Sequence, residues 1–179
     1  GINWTDFNSN NSALPAEDFL QFEITSNGDK WLVVGDWPTN KLIQFDGLNV
    51  ENHDITNSPL IGNIILDIDF DSDGKLWIAD YGQNSNGGQL VAYQKYNWEN
   101  YHQQTSVSWL QHQNDSVIWL GMYNRIGRFV NGQTTIFNMS NSGLPSNEVS
   151  GAVVDTNNNV WFATSNGLCM FDGTTWTVF

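Results

Sequence analysis

Cysteine is nearly absent from this sequence: Cys169 is the single one among 179 residues. One cysteine cannot form a disulfide within the chain, so a disulfide framework is excluded as the source of stability. Cys169 lies in the apolar run from Gly167 to Phe171. Free cysteine in such a run is commonly a small buried side chain, so we expect a core residue rather than a reactive thiol.

Basic residues are also scarce, with 6 Lys and Arg against 19 Asp and Glu and a net charge of -13. A surface of this sign repels nucleic-acid phosphates and anionic membranes, so neither a nucleic-acid partner nor direct membrane insertion is expected. No run approaches the ~20 apolar residues that a membrane-spanning helix needs. The first residues lack the apolar stretch of a signal peptide, which suits a mature or trimmed segment.

Aromatic residues, in contrast, are abundant, with nine Trp, five Tyr and ten Phe. This apolar material is enough for a packed core, so a disordered chain is excluded. Four tryptophans recur in similar segments, each followed by a large apolar residue and then a small one. These are Trp31, Trp77, Trp119 and Trp161, spaced 46, 42 and 42 residues apart. Such regular spacing indicates an internal repeat.

Each repeat has the pattern of four strands. Before Trp77, for example, apolar residues alternate from Ile64 to Phe70, as in a strand with one buried face. A turn of Asp, Ser and Gly follows, then the tryptophan strand, then two further apolar stretches joined by a turn such as Asp172-Gly173. No helical period occurs. Four-stranded antiparallel units of about 42–46 residues predict an all-β β-propeller, in which the tryptophans pack between neighbouring blades.

The predicted blades cover about residues 16–53, 62–101, 105–138 and 147–179 of a single array. An extra outer strand is predicted over 3–8, because Trp4–Phe7 resembles Trp176–Phe179. A closed ring of four blades has room for one of these two strands. We therefore predict a slice of a larger propeller with two open blade faces, covered by the remaining blades of a longer chain or by a second copy in a homodimer.

The last repeat resembles the two-component regulator propeller repeat. The residues in the order of that pattern are Asn141–Asn147, Trp161–Leu168, Phe171–Gly173 and Trp176-Thr177, and the first blade keeps Asn11–Pro15, Trp31 and Phe45–Gly47. The resemblance implies a periplasmic sensor region of a hybrid two-component regulator, or a secreted or surface protein, of the Bacteroidetes type. It implies a non-catalytic domain in the periplasm or outside the cell, and sensors of this kind often recognise oligosaccharides.

Aromatic and polar residues follow the tryptophan strand of each repeat. In a propeller, the loop at this position lies on the same side as the connection into the next blade. Flat rings beside amide, carboxylate or guanidinium groups suit the apolar faces and hydroxyl edges of sugars. We predict a site for an oligosaccharide or small ligand formed by Trp37, Tyr81, Tyr123, Asn124, Arg125 and Asn166. The alternative, that these aromatics only cap the blade ends, stays open.

Metal-binding motifs are incomplete. Asp69, Asp71 and Asp73 spell the start of a calcium loop, but they span a predicted hairpin, so an ordinary turn is favoured over a partial calcium site. His53, His102 and His112 lack the spacing of zinc ligands and are expected to be surface or packing residues. No cofactor is expected.

Catalytic motifs are missing from the pattern. Asp67 and Asp69 alternate with the apolar residues of an innermost strand, where we expect them to be solvated in the central channel rather than to act as an acid–base pair. The sequence has no nucleophile elbow or phosphate-binding loop. We therefore predict a non-catalytic ligand-binding propeller. A structural or protein-interaction module is the alternative, and a propeller lyase or lactonase is less favoured.

Overall fold

The computed structural model describes residues 4–36, 39–62, 64–82, 87–102 and 106–179. Its regular structure in these ranges is entirely β. Sixteen described strands form four sheets, each an antiparallel meander of four consecutive strands. Each sheet is one blade, so the all-β propeller architecture predicted from the repeats is confirmed. No helix that could cross a membrane occurs in the described ranges.

The strands follow the chain in order. Blade one contains β1 (Phe19–Ile24), β2 (Lys30–Asp36), β3 (Thr39–Phe45) and β4 (Val50–His53). Blade two contains β5 (Ile65–Phe70), β6 (Leu76–Asp80), β7 (Gln89–Gln94) and β8 (Asn97–His102). Blade three contains β9 (Val107–Asn114), β10 (Val117–Met122), β11 (Arg125–Val130) and β12 (Gln133–Phe137). Blade four contains β13 (Val149–Val154), β14 (Val160–Thr164), β15 (Gly167–Phe171) and β16 (Trp176–Val178).

The turn before the tryptophan strand is held by a side chain that also holds the tryptophan. In blade two, one carboxylate oxygen of Asp71 accepts the backbone N–H groups of Asp73 and Lys75, and the other accepts the indole N–H of Trp77 at 3.0 Å. Asp155 makes the same set of bonds in blade four, including one to Trp161 at 3.0 Å. The turn and the orientation of the indole are therefore set together.

The seams between blades form the core. Trp31, Trp77 and Trp119 are buried, each in the hydrophobic cluster between its own blade and the next. Trp161 is only half-buried in blade four, where it stacks on Phe179 with ring centroids 5.1 Å apart. Cys169 is fully buried in the seam between blades three and four, as expected for a core residue.

An aromatic ring from each outer strand reinforces the next seam. His53 stacks on Trp31 of its own blade at 4.9 Å and lies 5.8 Å from Tyr93 of the next blade. Tyr101 and Phe137 repeat this bridge in the following two seams. Burial lowers the pKa of His53, which favours the neutral ring that such packing requires. His53 is thus a packing residue, as expected.

Residues 4–8 correct one expectation. They form no strand, so the extra outer strand predicted over 3–8 is not formed here. A strand requires a neighbour for its backbone hydrogen bonds, and none of the described strands pairs with this segment. Phe7 nevertheless contacts Phe45 edge-on at 5.6 Å, the position at which Phe137 meets Phe171 in the last seam.

Candidate functional site

Two sets of connections meet on one side of the blades, which we call the loop face. The first set is the described residues after β6, β10 and β14, and the second is the lead-in segments at 8–14, 54–61 and 138–145. Contacts join the two sets: the Asn166 side-chain amide donates to the Pro145 carbonyl at 3.1 Å, and the Ile61 N–H donates to Asp80 at 2.6 Å. The lead-in segments therefore contact the ends of the tryptophan strands on the loop face in blades two and four.

The lead-in turns share one hydrogen-bonding pattern. In the first, the Asn11 side chain accepts the backbone N–H of Asn8 at 2.8 Å, and the Ser12 hydroxyl donates to the Asn8 carbonyl at 2.7 Å. The turn at 138–144 repeats both bonds, and so does the turn at 54–60. The sequence comparison missed the turn at 54–60, because its proline precedes the leucine and the first residue is Asp54.

Blade three presents three of the predicted site residues together. Tyr123 and Asn124 form the two-residue turn between β10 and β11, and Arg125 is the first residue of β11. Asn124 has φ 55, a left-handed conformation that Asn tolerates well. The Tyr123 side chain is 80% exposed, so it contributes little packing to the blade end. An aromatic, an amide and a guanidinium residue thus follow one another in the chain at this turn. The Nε atom of Arg125 is buried and has no hydrogen-bond partner among the described residues.

The other predicted site residues lie in neighbouring blades. Tyr81 follows β6 in blade two and is 36% exposed. Asn166 lies in the turn after β14, where its backbone N–H is accepted by the Thr164 hydroxyl and its amide is bound to Pro145. Asn166 therefore has a structural role in its own turn. Trp37 lies outside the described residues.

A buried polar cluster lies beneath the loop face in blade two. Asp80 is fully buried and accepts hydrogen bonds from the Ile61 N–H at 2.6 Å and the Gln89 amide at 2.8 Å. Gln89 also binds Pro59 and accepts from Asn100. Burial raises the pKa of Asp80. The cluster ties the lead-in turn to the end of β6 and supports Tyr81, which comes directly after Asp80.

The loop face also has a cavity at blade one, which sequence reasoning missed. It has a volume of about 440 Å³ and is lined by Glu17, Asp36, Thr39, Asn40, Lys41 and Asp54, with Val34 and Gly35. Lys41 and Glu17 form an ion pair of 2.9 Å on it. Buried Asn40 binds both the N–H and the carbonyl of Ile65, which locks blade one to blade two at its base. The cavity is open to solvent and is lined by both polar and apolar groups.

The carboxylates of the inner strands serve as links between blades, which corrects the expectation of solvated channel residues. Asp67 accepts from the Gln21 amide of blade one at 3.0 Å and from the Leu110 N–H of blade three at 2.7 Å. Burial raises the pKa of Asp67. Burial also raises the pKa of Glu23, and the neighbouring carboxylates of Asp69 and Asp67 add to this effect.

His112 and Asp69 form a further link, between blades three and two. The Nδ1 atom of His112 lies 2.6 Å from a carboxylate oxygen of Asp69. The Nε2 atom is buried and has no hydrogen-bond partner among the described residues, so it is not presented to a substrate. The histidine–carboxylate pair thus joins β9 of blade three to β5 of blade two.

The partial calcium motif does not assemble. Asp69 pairs with His112, and both oxygens of Asp71 are occupied by its turn and by Trp77. No group of three or more His, Cys, Asp or Glu side chains in the described ranges is arranged to hold a metal ion. Asp69, Asp71 and Asp73 therefore do not converge, and Asp69 and Asp71 are bound to different neighbours. The His102 side chain lies outside the described part of the chain.

Four-stranded meanders joined through their inner strands define a β-propeller repeat protein. The model of the two-component regulator propeller family matches residues 143–166, which confirms the resemblance drawn from the last repeat. No curated protein matches the chain in sequence.

Solved structures share the fold at low sequence identity. The extracellular domain of BT4673 from B. thetaiotaomicron, described both as a one-component and as a hybrid two-component system, has a TM-score of 0.70 and 20% identity, over 91% of this chain and 22% of that chain. The extracellular domain of BT3049, assigned as a hybrid two-component system of the same organism, has a TM-score of 0.72 and 18% identity, over 99% and 24%.

Enzymes share the fold too. A catalytically inactive histidine-to-alanine variant of virginiamycin B lyase from Staphylococcus aureus, solved with quinupristin, has a TM-score of 0.70 and 16% identity, over 94% of this chain and 57% of that chain. This chain therefore spans about a fifth to three-fifths of the length of these proteins.

Proposed function

We propose that this chain is a non-catalytic ligand-binding part of a sensor of the two-component type, and that its loop face recognises carbohydrate. The observation that carries the proposal is the hairpin of Tyr123, Asn124 and Arg125, in which a tyrosine that is 80% exposed is followed directly by an amide residue and a guanidinium residue. A sugar ring can stack on such a ring while its hydroxyls bind the adjacent polar groups.

The charge of the chain favours a neutral ligand. At a net charge of -13, long-range repulsion opposes polyanions, and the cavity at blade one carries the carboxylates of Glu17, Asp36 and Asp54 with Lys41. Neutral oligosaccharides avoid this repulsion. The resemblance to extracellular sensor domains supports a periplasmic or extracellular location and a role in signalling.

A second candidate function is a structural or protein-interaction module. Exposed apolar side chains on the outer faces of blades one and four favour it, including Phe22 and Val153. A lyase or lactonase is less well supported, because the one His–Asp pair described has its free nitrogen buried between blades.

Titration calorimetry with a panel of neutral oligosaccharides tests the proposal. Tyr123→Ala is expected to weaken binding about tenfold, the effect of losing roughly 1.4 kcal/mol of aromatic contact. Tyr123→Phe keeps the ring and is expected to retain binding. Leu48→Ala changes an exposed side chain in the turn between β3 and β4 and serves as the control. Binding that survives both Tyr123→Ala and Tyr81→Ala would remove the loop face as the site.

A further inference from the structure

The turn between β7 and β8 violates the usual residue preference for its conformation. It is a two-residue hairpin turn, Lys95-Tyr96, and both residues have positive φ, 50 and 68. Such turns strongly favour Asn-Gly, because side chains with a large Cβ substituent are strained there. The matching hairpin of blade three has the favoured pair, Asn131-Gly132, with φ 49 and 80. Blade two therefore keeps two unfavourable residues where the fold needs neither.

The strained turn places Tyr96 beside a groove. The Tyr96 side chain is 88% exposed and lines, with Lys95, a groove of about 490 Å³ between blades one and two. The turns at 25–29 and 71–74 form the opposite walls, and Trp31, Phe70 and Tyr93 contribute the aromatic lining. This groove lies on the side of the blades opposite the loop face, which we call the turn face.

We propose that this groove is a second carbohydrate-binding site, with Tyr96 as the stacking ring and Lys95, Asp29 and Asp73 as partners for sugar hydroxyls. Strain kept at a position that the fold does not require points to a role of the side chains themselves. The volume lies within the range of small-molecule sites. An exposed ring beside donors and acceptors is the arrangement that a sugar ring needs.

The charges around the groove select a neutral, hydroxyl-rich ligand. Asp29 and Asp73 repel anions, and an apolar ligand would desolvate these carboxylates and the Lys95 ammonium without replacing their hydrogen bonds. Asp71 also lines the groove, but its two oxygens are held by its turn and by Trp77. Sugar hydroxyls donate to carboxylates and accept from an ammonium, so they satisfy both kinds of group.

The chain contains its own comparison. A similar groove of about 370 Å³ lies between blades two and three, and there Asn131 and Gly132 hold the positions of Lys95 and Tyr96. It lacks a ring at the tip of this turn. The proposed site is therefore specific to the first seam and does not follow from blade geometry alone.

Calorimetry with cello-, xylo-, malto- and manno-hexaose, together with thermal unfolding, tests the inference. Lys95→Asn/Tyr96→Gly is expected to raise the thermal midpoint, because it relieves the turn, and to weaken binding at the groove at least tenfold. Tyr96→Phe keeps the ring and is expected to retain most of the affinity. Leu48→Ala is the control that leaves binding unchanged. A thermal midpoint of the double variant below that of the native chain would contradict the inference that this turn is strained.

The inference takes its ligand class from the proposed function, but the two site assignments can be refuted independently of each other. Binding that is lost in Lys95→Asn/Tyr96→Gly and kept in Tyr123→Ala supports the groove and removes the loop face. The opposite result supports the loop face and overturns the groove. Two independent sites, each lost in one variant, support both proposals. A native chain that binds none of the four hexaoses overturns the groove.

Discussion

At the scale of single residues, polar side chains decide the local geometry that the apolar pattern leaves open. Asp71 and Asp155 each hold a turn with one oxygen and an indole with the other. In blade three the Gln113 amide oxygen accepts the Trp119 indole N–H instead, also at 3.0 Å. Asp and Gln at these positions thus both accept the indole N–H of the tryptophan, although the two residue types do not stand out as equivalent in the sequence.

The pH dependence of Asp155 provides the first prediction. Bonds to Trp161 and Asn159 lower its pKa to about 2, so its stabilising effect is present above the ordinary value of 3.8 and is lost as the pH falls through about 2. Asp155→Ala is expected to lower the urea midpoint at pH 6, and the gap to the native chain should close between pH 4 and pH 2. Asp115→Ala, in the corresponding turn of blade three, is the control. A gap that stays constant down to pH 2 would contradict the assigned bonds.

Gly121 provides the second prediction, on packing. A Cβ atom there would lie 2.1 Å from Nε1 of Trp109, whose ring crosses the strand and donates to the Val149 carbonyl. Gly121→Ala is expected to destabilise the chain by about 1–3 kcal/mol in equilibrium denaturation. Gly151→Ala is the matched strand control, because no atom lies within 4 Å of its added Cβ. Equal effects of the two substitutions would show that backbone entropy, and not the ring, sets the requirement for glycine.

At the scale of elements, the seam between two blades is the unit of stability. Each seam buries a tryptophan from one blade against apolar side chains of the next, and polar links cross its inner edge, as Asp67 does to Leu110. A ring from the outer strand reinforces the outer edge. The contribution of a tryptophan at this position to stability therefore depends on whether a following blade covers it.

Equivalent tryptophans test this element-scale view. Trp119 is fully buried, so Trp119→Ala is expected to cost about 3–5 kcal/mol of unfolding free energy. Trp161 is half-buried, so Trp161→Ala is expected to cost clearly less in the same urea titration. Similar losses at the two positions would mean that contacts within one blade, rather than seams, carry the stability.

At the scale of the whole molecule, the two outermost blade faces are open. Blade one exposes Phe22 and Ile24 on β1, and blade four exposes Val153 on β13 and Leu168 on β15 beside Trp161. Within the described ranges, no hydrophobic cluster joins blade four to blade one. The equivalent positions inside the array are covered by a neighbouring blade. The two open faces are therefore both apolar surfaces of the type that packs between blades.

We propose that the isolated 179-residue chain associates through these faces, with blade four of one copy against blade one of another. Light scattering should show a mass above 20.2 kDa that rises with concentration. Phe22→Ser is expected to shift the chain toward the monomer, and Leu48→Ser, at an exposed turn position, is not. A monomer at high concentration would contradict this pairing. The open faces would then be expected to pack against further blades of a longer chain.

The sequence by itself determined the elements that depend on nearby residues: four sheets of four strands, their turns and the tryptophans of the seams. Alternating apolar residues and Asn, Asp and Gly turns act over a few positions, so they can be read without a structure. The hairpin of Tyr123 to Arg125 followed from the same local reading. Its position at the end of the tryptophan strand followed from the propeller pattern.

Only the tertiary structure decided which polar groups meet across the seams. Asn40 binds Ile65, Asp67 binds Leu110 and His112 meets Asp69 over separations of 25 to 43 residues. These pairings depend on the stagger between neighbouring blades, which no local pattern encodes. The same holds for residues 4–8, which resemble an outer strand but lack a partner, and for Tyr96, whose groove exists only because two blades lie side by side.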